Sequence, residues 1–291
     1  MPAQVESFFH APTNTWTHIV VDPTTQTAAI IDPVLDFDPA SGRIWTESAQ
    51  RLVAYVLAHG LGVEWILETH AHADHLTAAD WLRGLLPAAK LGIGAGIIAV
   101  QKHFGEVFGF GPEFRADGSQ FDRLFADSDL FKLGTLDLHV TATPGHTSDG
   151  VSYLIDDAVF VGDTLFAPDG GTGRCDFPGA DAATQYRSIR RLYTLPGATR
   201  VFLCHDYPAI DAAPVAEIVL GEQKRGNIHL CHDTDETAFV ALRTKRDATL
   251  AVPKLLWPAV QFNIRGGRVP ANGAFFKLPV AFAADEPSAP R

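Results

Sequence analysis

Glu68-Thr69-His70-Ala71-His72-Ala73-Asp74-His75 decides how the rest of the chain is read. The run Trp65–Glu68 that leads into it is short, apolar and of strand type. The segment that leaves it, Asp74 to Leu86, sets Leu76, Ala79, Leu82 and Leu86 on one helical face, with Pro87 as terminator. The histidines therefore sit where a buried strand passes into a helix. His70 and His72 alternate along an extended end and can point the same way, while Asp74 and His75 approach from the next turn. Neutral imidazoles and a carboxylate are ligands for first-row transition metals. Solvated surface histidines are the bland alternative, but three histidines and an aspartate at fixed spacing within six residues fit it poorly.

Working outward, His18–Val21 and Ala28–Asp32 read as a β-hairpin about the turn Pro23-Thr24-Thr25-Gln26. Leu52, Val53, Val56 and Leu57 recur at helical spacing between Thr46 and His59, and Gly60 stops that helix. Strands are expected at Leu136–Thr141, Val151–Ile155 and Ala158–Val161, the last two joined across Asp156-Asp157. A helix over Ala182–Tyr193 and a buried strand Arg200–Cys204 follow. Asp233 is placed to cap a helix running from Ala238 to Arg246, with Glu236 in a capping box, and the tail from Ala283 reads as loose. Nothing in composition divides two independent units. We read residues 1–230 as the main domain and 231–291 as an extension packed on it that contributes to substrate binding.

Three further segments each bring one candidate ligand to a strand end: His146 in Pro144-Gly145-His146-Thr147, Asp163 in Gly162-Asp163-Thr164, and His205 in Cys204-His205-Asp206-Tyr207. Taken singly, each is more often structural; it is the company of the first motif that raises them.

With 46% hydrophobic and 20% charged residues among 291, the chain can bury a full core, which excludes disordered and fibrous classes. The longest apolar stretch, Leu91 to Val100, is interrupted by three glycines and falls far short of the roughly 20 residues of a membrane-spanning helix. No secretory signal is legible in Met1 to Phe9, and Cys175, Cys204 and Cys231 form no CxxC pair, so a cytoplasmic, reducing location is expected. A net charge of −11 argues against nucleic acid as a partner. The charge is uneven: residues 221–291 carry 10 basic and 7 acidic side chains, leaving the first 220 residues at −14. A small anion is therefore held best from the C-terminal part.

The order HxHxDH, PGHT, GDTLF (Gly162–Phe166) and HDY resembles the metallo-β-lactamase superfamily over residues 15 to 210. That resemblance implies an α+β fold, an αββα sandwich with metal at the shared edge of two sheets. Within it, THAHADHLTAA (69–79), GRCDF (Gly173–Phe177), HDY and the run TAFVALRTKRDATLAVP…LLWPAVQFNIRGG (237–267) are similar to the persulfide dioxygenases, more so than to glyoxalase II, the glutathione thioester hydrolase of the superfamily.

All seven positions of the superfamily's two-metal set are present: His70, His72 and His146; Asp74, His75 and His205; and Asp163 between them. Two zinc ions there would activate a bridging water for hydrolysis. One ion on His70, His146 and Asp163 would instead be a two-histidine, one-carboxylate triad with open positions, as in non-haem Fe(II) oxygenases. The resemblance favours the triad: one Fe(II) per chain, glutathione persulfide and O2 as substrates, and His72, Asp74, His75 and His205 as supporting groups. It also implies that Tyr207 and one of Lys224 and Arg225 hold glutathione, with Arg243, Arg246 and Arg265 next in line, and it allows a homodimer. Arg174 either touches substrate or braces its loop through Asp176, the second being favoured because the arginine fork suits carboxylate pairing. Cys175 reads as a small buried hydrophobe rather than a redox thiol. His10, His18, His59, His103, His139, His229 and His232 belong to no motif and are read as structural.

Overall fold

A computed structural model describes residues 2–209 and 211–269. The expected loose tail from Ala283 lies outside the described residues. Two six-stranded sheets face each other. The first runs in the order Gln4–His10, Thr15–Asp22, Thr27–Ile31, Gly62–Leu67, Lys90–Gly94 and Arg123–Phe125. The second runs Leu130–Leu133, Leu136–Ala142, Val151–Ile155, Ala158–Phe160, Arg200–Phe202 and Glu217–Val219. A three-stranded piece, Arg43–Trp45, Val34–Asp38 and Leu76–Thr77, flanks the edge where the first sheet's strands end.

Strand alternation sorts side chains into three buried layers. Val20, Ala29, Ile31, Trp65 and Leu67 meet Leu138, Val140, Tyr153, Ile155 and Phe160 between the sheets. Their neighbours Ile19, Val21, Ala28, Ile30 and Ile66 face outward onto helices Glu47–Ala58, Ala79–Leu85, Ile97–Val107 and Leu256–Asn263. On the far side Val159, Val161 and Val201 pack against helices Ala182–Leu192, Leu220–Gly226 and Glu236–Asp247. Each large aliphatic side chain so buried stabilises the fold by roughly 1.5–3 kcal/mol relative to exposure. The result is the αββα sandwich. Among the described residues no helix is long and apolar enough to cross a membrane.

Two local expectations need correcting. The helix expected from Asp74 begins only at Ala79. Leu76–Thr77 pairs instead with Val34 and Leu35, and Asn263 Nδ2 donates to the carbonyls of His72 and His75 at 2.8 Å each, so those carbonyls are not available to a helix. Near the C-terminus the cap is Asp235, not Asp233: its side chain accepts from Ala238 N at 2.8 Å and opens the helix Glu236–Asp247.

Candidate metal centre

Every ligand candidate stands just past the C-terminal end of a strand, on one edge of the sandwich. Asp32 follows Thr27–Ile31, the histidine cluster follows Gly62–Leu67, His146 follows Leu136–Ala142, Asp163 follows Ala158–Phe160, and His205 follows Arg200–Phe202. The segments lie so close that a side chain would not fit at two glycines. A Cβ on Gly162, whose φ is +52°, would stand 2.6 Å from Thr69 Oγ1, and one on Gly173 would stand 2.1 Å from the Asp163 carbonyl.

The donors fall into two main groups, each with its ligand atoms within 4.8 Å of one another: His70, His146 and Asp163; and His72, Asp74, His75 and His205. His146 Nε2 is 3.4 Å from Asp163 Oδ2, and His205 Nε2 is 3.2 Å from Asp74 Oδ2 and 3.3 Å from Asp163 Oδ1. His70 Nε2, His72 Nδ1, both ring nitrogens of His75, His205 Nε2, Asp74 Oδ2 and Asp163 Oδ1 are buried without a hydrogen-bond partner. Orphaned polar atoms in a buried site are costly. Their grouping along one buried edge fits bound metal.

Surrounding acceptors settle which nitrogen faces inward. His70 Nδ1 donates to Thr69 Oγ1 (3.1 Å), whose hydroxyl hydrogen goes to Asp32 Oδ2 (2.8 Å). His72 Nε2 donates to Asp32 Oδ1 (2.9 Å), His146 Nδ1 to the Arg174 carbonyl (2.7 Å), and His205 Nδ1 to the Asn14 carbonyl (3.1 Å). Each leaves the opposite nitrogen directed at the site. Asp32, with φ +50°, also accepts from Thr69 N at 2.7 Å, and Asp149 Oδ2 accepts from Ala71 N at 2.8 Å. Tyr153, fully buried between the sheets, donates from its hydroxyl to the Glu68 carbonyl at 2.9 Å and pins the start of the cluster.

Electrostatics divides the histidines. Burial, and then the neighbouring rings, holds His70 well below the ordinary imidazole value and His75 at about 4, so both are neutral donors. Burial would lower His72 and His205 too, but Asp32 beside the first, and Asp74 with Asp163 beside the second, raise them well above it. Binding a cation here thus releases protons.

A cavity of about 560 Å³ opens onto Asp74, His146 and Asp163. Its walls include Phe166, Phe177, Tyr207, Arg174, Arg243 and Arg246. Arg174 is already engaged: Nε and Nη2 hold Asp176 at 2.5 and 2.6 Å, and Nη1 donates to the Ala251 carbonyl. Arg243 is buried in an ion pair with Asp247 and donates to the Thr172 carbonyl at 3.1 Å. Arg246 is exposed, and its guanidinium makes no hydrogen bond or ion pair among the described residues. Lys224 and Arg225 are not brought to the cavity. Their helix lies on the outer face of the second sheet, and Lys224 Nζ donates to the Leu195 carbonyl at 2.6 Å. Arg265 lies over the rings of Phe110 and Phe114 instead. Cys175 donates its thiol hydrogen to Gln185 Oε1, and burial pushes its pKa up to about 12, so it is an inert thiol.

The residues missed in sequence are those that orient the ligands: Asp32, Asp149, Asp247 and Asn263. Asp32 was the most findable, a carboxylate closing an otherwise apolar buried strand.

An αββα sandwich with converging imidazoles and carboxylates at its edge defines a metal-binding protein. The chain belongs to the metallo-beta-lactamase superfamily, whose model matches residues 11–205, and it is an enzyme of that superfamily. It is 46% identical over 290 residues to a probable metallo-hydrolase of Burkholderia pseudomallei (strain 1710b), covering 95% of this chain and 98% of the relative. Glyoxylase B2 of Dictyostelium discoideum is 43% identical over 285 residues, covering 96% and 98%. The mitochondrial persulfide dioxygenase ETHE1 of Bos taurus is 31% identical over 269 residues, covering 91% and 89%. The crystal structure of ETHE1 from Myxococcus xanthus superposes with a TM-score of 0.73 at 30% identity, over 91% of this chain and 100% of that one.

Proposed function

We propose that the chain is a glutathione-dependent persulfide dioxygenase whose single Fe(II) is held by His70, His146 and Asp163. It converts glutathione persulfide, O2 and water to glutathione and sulfite. The observation that carries this reading is the separate triad of two histidines and one carboxylate, supported by the likeness to persulfide dioxygenase along most of the chain. Fe(II) held there by His70, His146 and Asp163 would supply the redox chemistry that O2 activation needs, which filled-shell zinc does not.

The protein does the rest. His205 Nε2 lies 3.2 Å from Asp74 and 3.3 Å from Asp163, and both carboxylates raise its proton affinity, so a second cation there competes with that proton. Phe177, edge-on to His146 at 5.2 Å between ring centres, and Phe166, 6.1 Å from His205, give the site an apolar wall on the cavity side. Arg246 and Tyr207 are placed to take the glutathione carboxylates and backbone, a task assigned to Arg246 in place of Lys224 or Arg225. Arg174 braces the loop.

A second reading, a two-zinc hydroxyacylglutathione hydrolase of glyoxalase II type, draws on the second donor group and on the hydrolase and glyoxylase names of relatives at 46% and 43% identity. Metal analysis of protein purified without added metal, joined to oxygen-electrode assays, separates the two. About one iron per chain is expected, lost in His146→Ala and Asp163→Ala and less affected in His72→Ala. Persulfide should drive O2 uptake with sulfite formed, while S-lactoylglutathione is turned over poorly. Two zinc ions with fast thioester hydrolysis and no O2 uptake would overturn the proposal.

A further inference from the structure

A second cavity, about 490 Å³, lies on the other side of Tyr207 from the first. The two share Asp74, Tyr207 and Pro253 as a common wall, so both reach the metal edge. Their linings differ. The first presents Arg174, Arg243 and Arg246, whereas the second presents Leu35, Phe37, Trp45, Leu255 and the rings of Pro12 and Pro39. Trp45, on the edge strand Arg43–Trp45, is left 37% exposed and Tyr207 60% exposed. Large aromatic side chains left in water beside a reactive site mark a surface built to be covered. In the reading above the carboxylates of glutathione persulfide pair with the arginines of the first cavity and its sulfur meets the triad, which leaves this second cavity to a further group.

We infer that this second cavity is a subsite for an apolar substituent on the substrate sulfur. The chain then binds glutathione conjugates bearing a linear alkyl group, with the peptide in the arginine-lined cavity and the apolar group beyond Tyr207. Three features choose this occupant. The cavity adjoins the first along Asp74 and Tyr207, much of its lining is aliphatic and aromatic (Leu35, Phe37, Trp45, Leu76 and Leu255), and its volume lies in the range of small-molecule sites. A strongly polar group would have to leave water for Leu35, Phe37 and Leu255, while on the polar side of the lining His10 is already engaged by Thr13 and Asp36. The inference rests on the glutathione reading above and extends it to a further class of ligand.

Calorimetric titration of the metal-loaded protein with S-methylglutathione and S-hexylglutathione tests it. Each buried methylene strengthens binding roughly fourfold, so partial burial of the five extra methylenes predicts about thirtyfold tighter binding of the hexyl compound. Binding of the hexyl compound should also quench tryptophan fluorescence through Trp45, and Trp45→Ala should lose most of the hexyl advantage while binding the methyl compound as before. Equal affinities for the two conjugates, or a hexyl advantage kept in full by Trp45→Ala, would overturn the subsite while leaving the glutathione reading intact. Binding of neither conjugate would overturn the subsite, while the glutathione reading is decided separately by O2 uptake with glutathione persulfide.

Discussion

Arg243→Ala exposes how the C-terminal helix is tied to the metal ligands. Arg243 and Asp247, one turn apart on Glu236–Asp247, form an ion pair whose side chains are only 1% and 5% exposed. Arg243 Nη1 donates to the Thr172 carbonyl, and Asp247 Oδ2 accepts from Cys175 N at 2.8 Å, so the pair clamps the loop 172–175 from both sides. That loop in turn fixes the ligands: the Arg174 carbonyl accepts from His146 Nδ1, and Gly173 N donates to the Asp163 carbonyl at 3.1 Å. Removing the guanidinium leaves the Asp247 carboxylate buried and uncompensated, which costs about 3–5 kcal/mol. At 2–4 °C per kcal/mol for a chain of this size, the melting temperature should fall by roughly 6–20 °C. Loss of the loop's hold on His146 should also weaken metal binding about 10- to 100-fold, read as faster release to a chelator. The double variant Arg243→Met, Asp247→Leu separates the two effects. Apolar side chains of similar volume restore stability, as replaced buried pairs often do, but leave Cys175 N and the Thr172 carbonyl without partners, so metal release stays fast. Native melting temperature and native metal release in Arg243→Ala would refute the clamp.

Two further outcomes follow from groups away from the ligands. Arg246→Ala should raise the Michaelis constant for the glutathione substrate about tenfold or more with metal content unchanged, the loss of one charge-assisted hydrogen bond, while Lys224→Ala should leave it unmoved; steady-state O2 uptake decides, and the reverse pattern would return the contact to Lys224. Asp22 supplies a pH dependence: burial alone would raise its carboxyl, but Thr135 N–H and O–H, Thr24 N and Thr25 O–H hold it well below the ordinary carboxylate range. The folded chain thus takes up that proton less readily than the unfolded chain. The stability it contributes is complete above the unfolded value near pH 4 and is lost as pH falls below that, so the gap between wild type and Asp22→Asn in urea melts should close toward pH 2. A gap that widens on acidification would contradict this sign.

The fold was legible where one residue type dictates one face. The hairpin around Pro23-Thr24-Thr25-Gln26 and the strands at 136–142 and 151–155 lie within three residues of their expected places, because alternation across a buried sheet leaves no freedom of register. Residues 74–78 were not legible. Leu76 and Ala79 keep helical spacing, but a side chain distant in sequence, Asn263, takes the carbonyls a helix would have used. The same distance hid the unpaired arginine of the cavity wall. Lys224-Arg225 is near Tyr207 along the chain, whereas Arg246 reaches the cavity only because Glu236–Asp247 packs across helix Ala182–Leu192.

The seven side chains read as ligands come together at one edge, yet they name two chemistries equally well, because the same seven serve one ion or two. What can tilt the balance is the charge already held around them. Asp32 fastens His72 through Nε2 and raises its proton affinity, and Asp74 and Asp163 do the same for His205. A second cation must displace those protons and compete with charges already neutralised, whereas His70, held neutral by burial, gives its lone pair to a first cation without that cost. The triad should therefore fill before the four-residue group, and the metal-to-protein ratio at which activity saturates, one or two, reads that order directly.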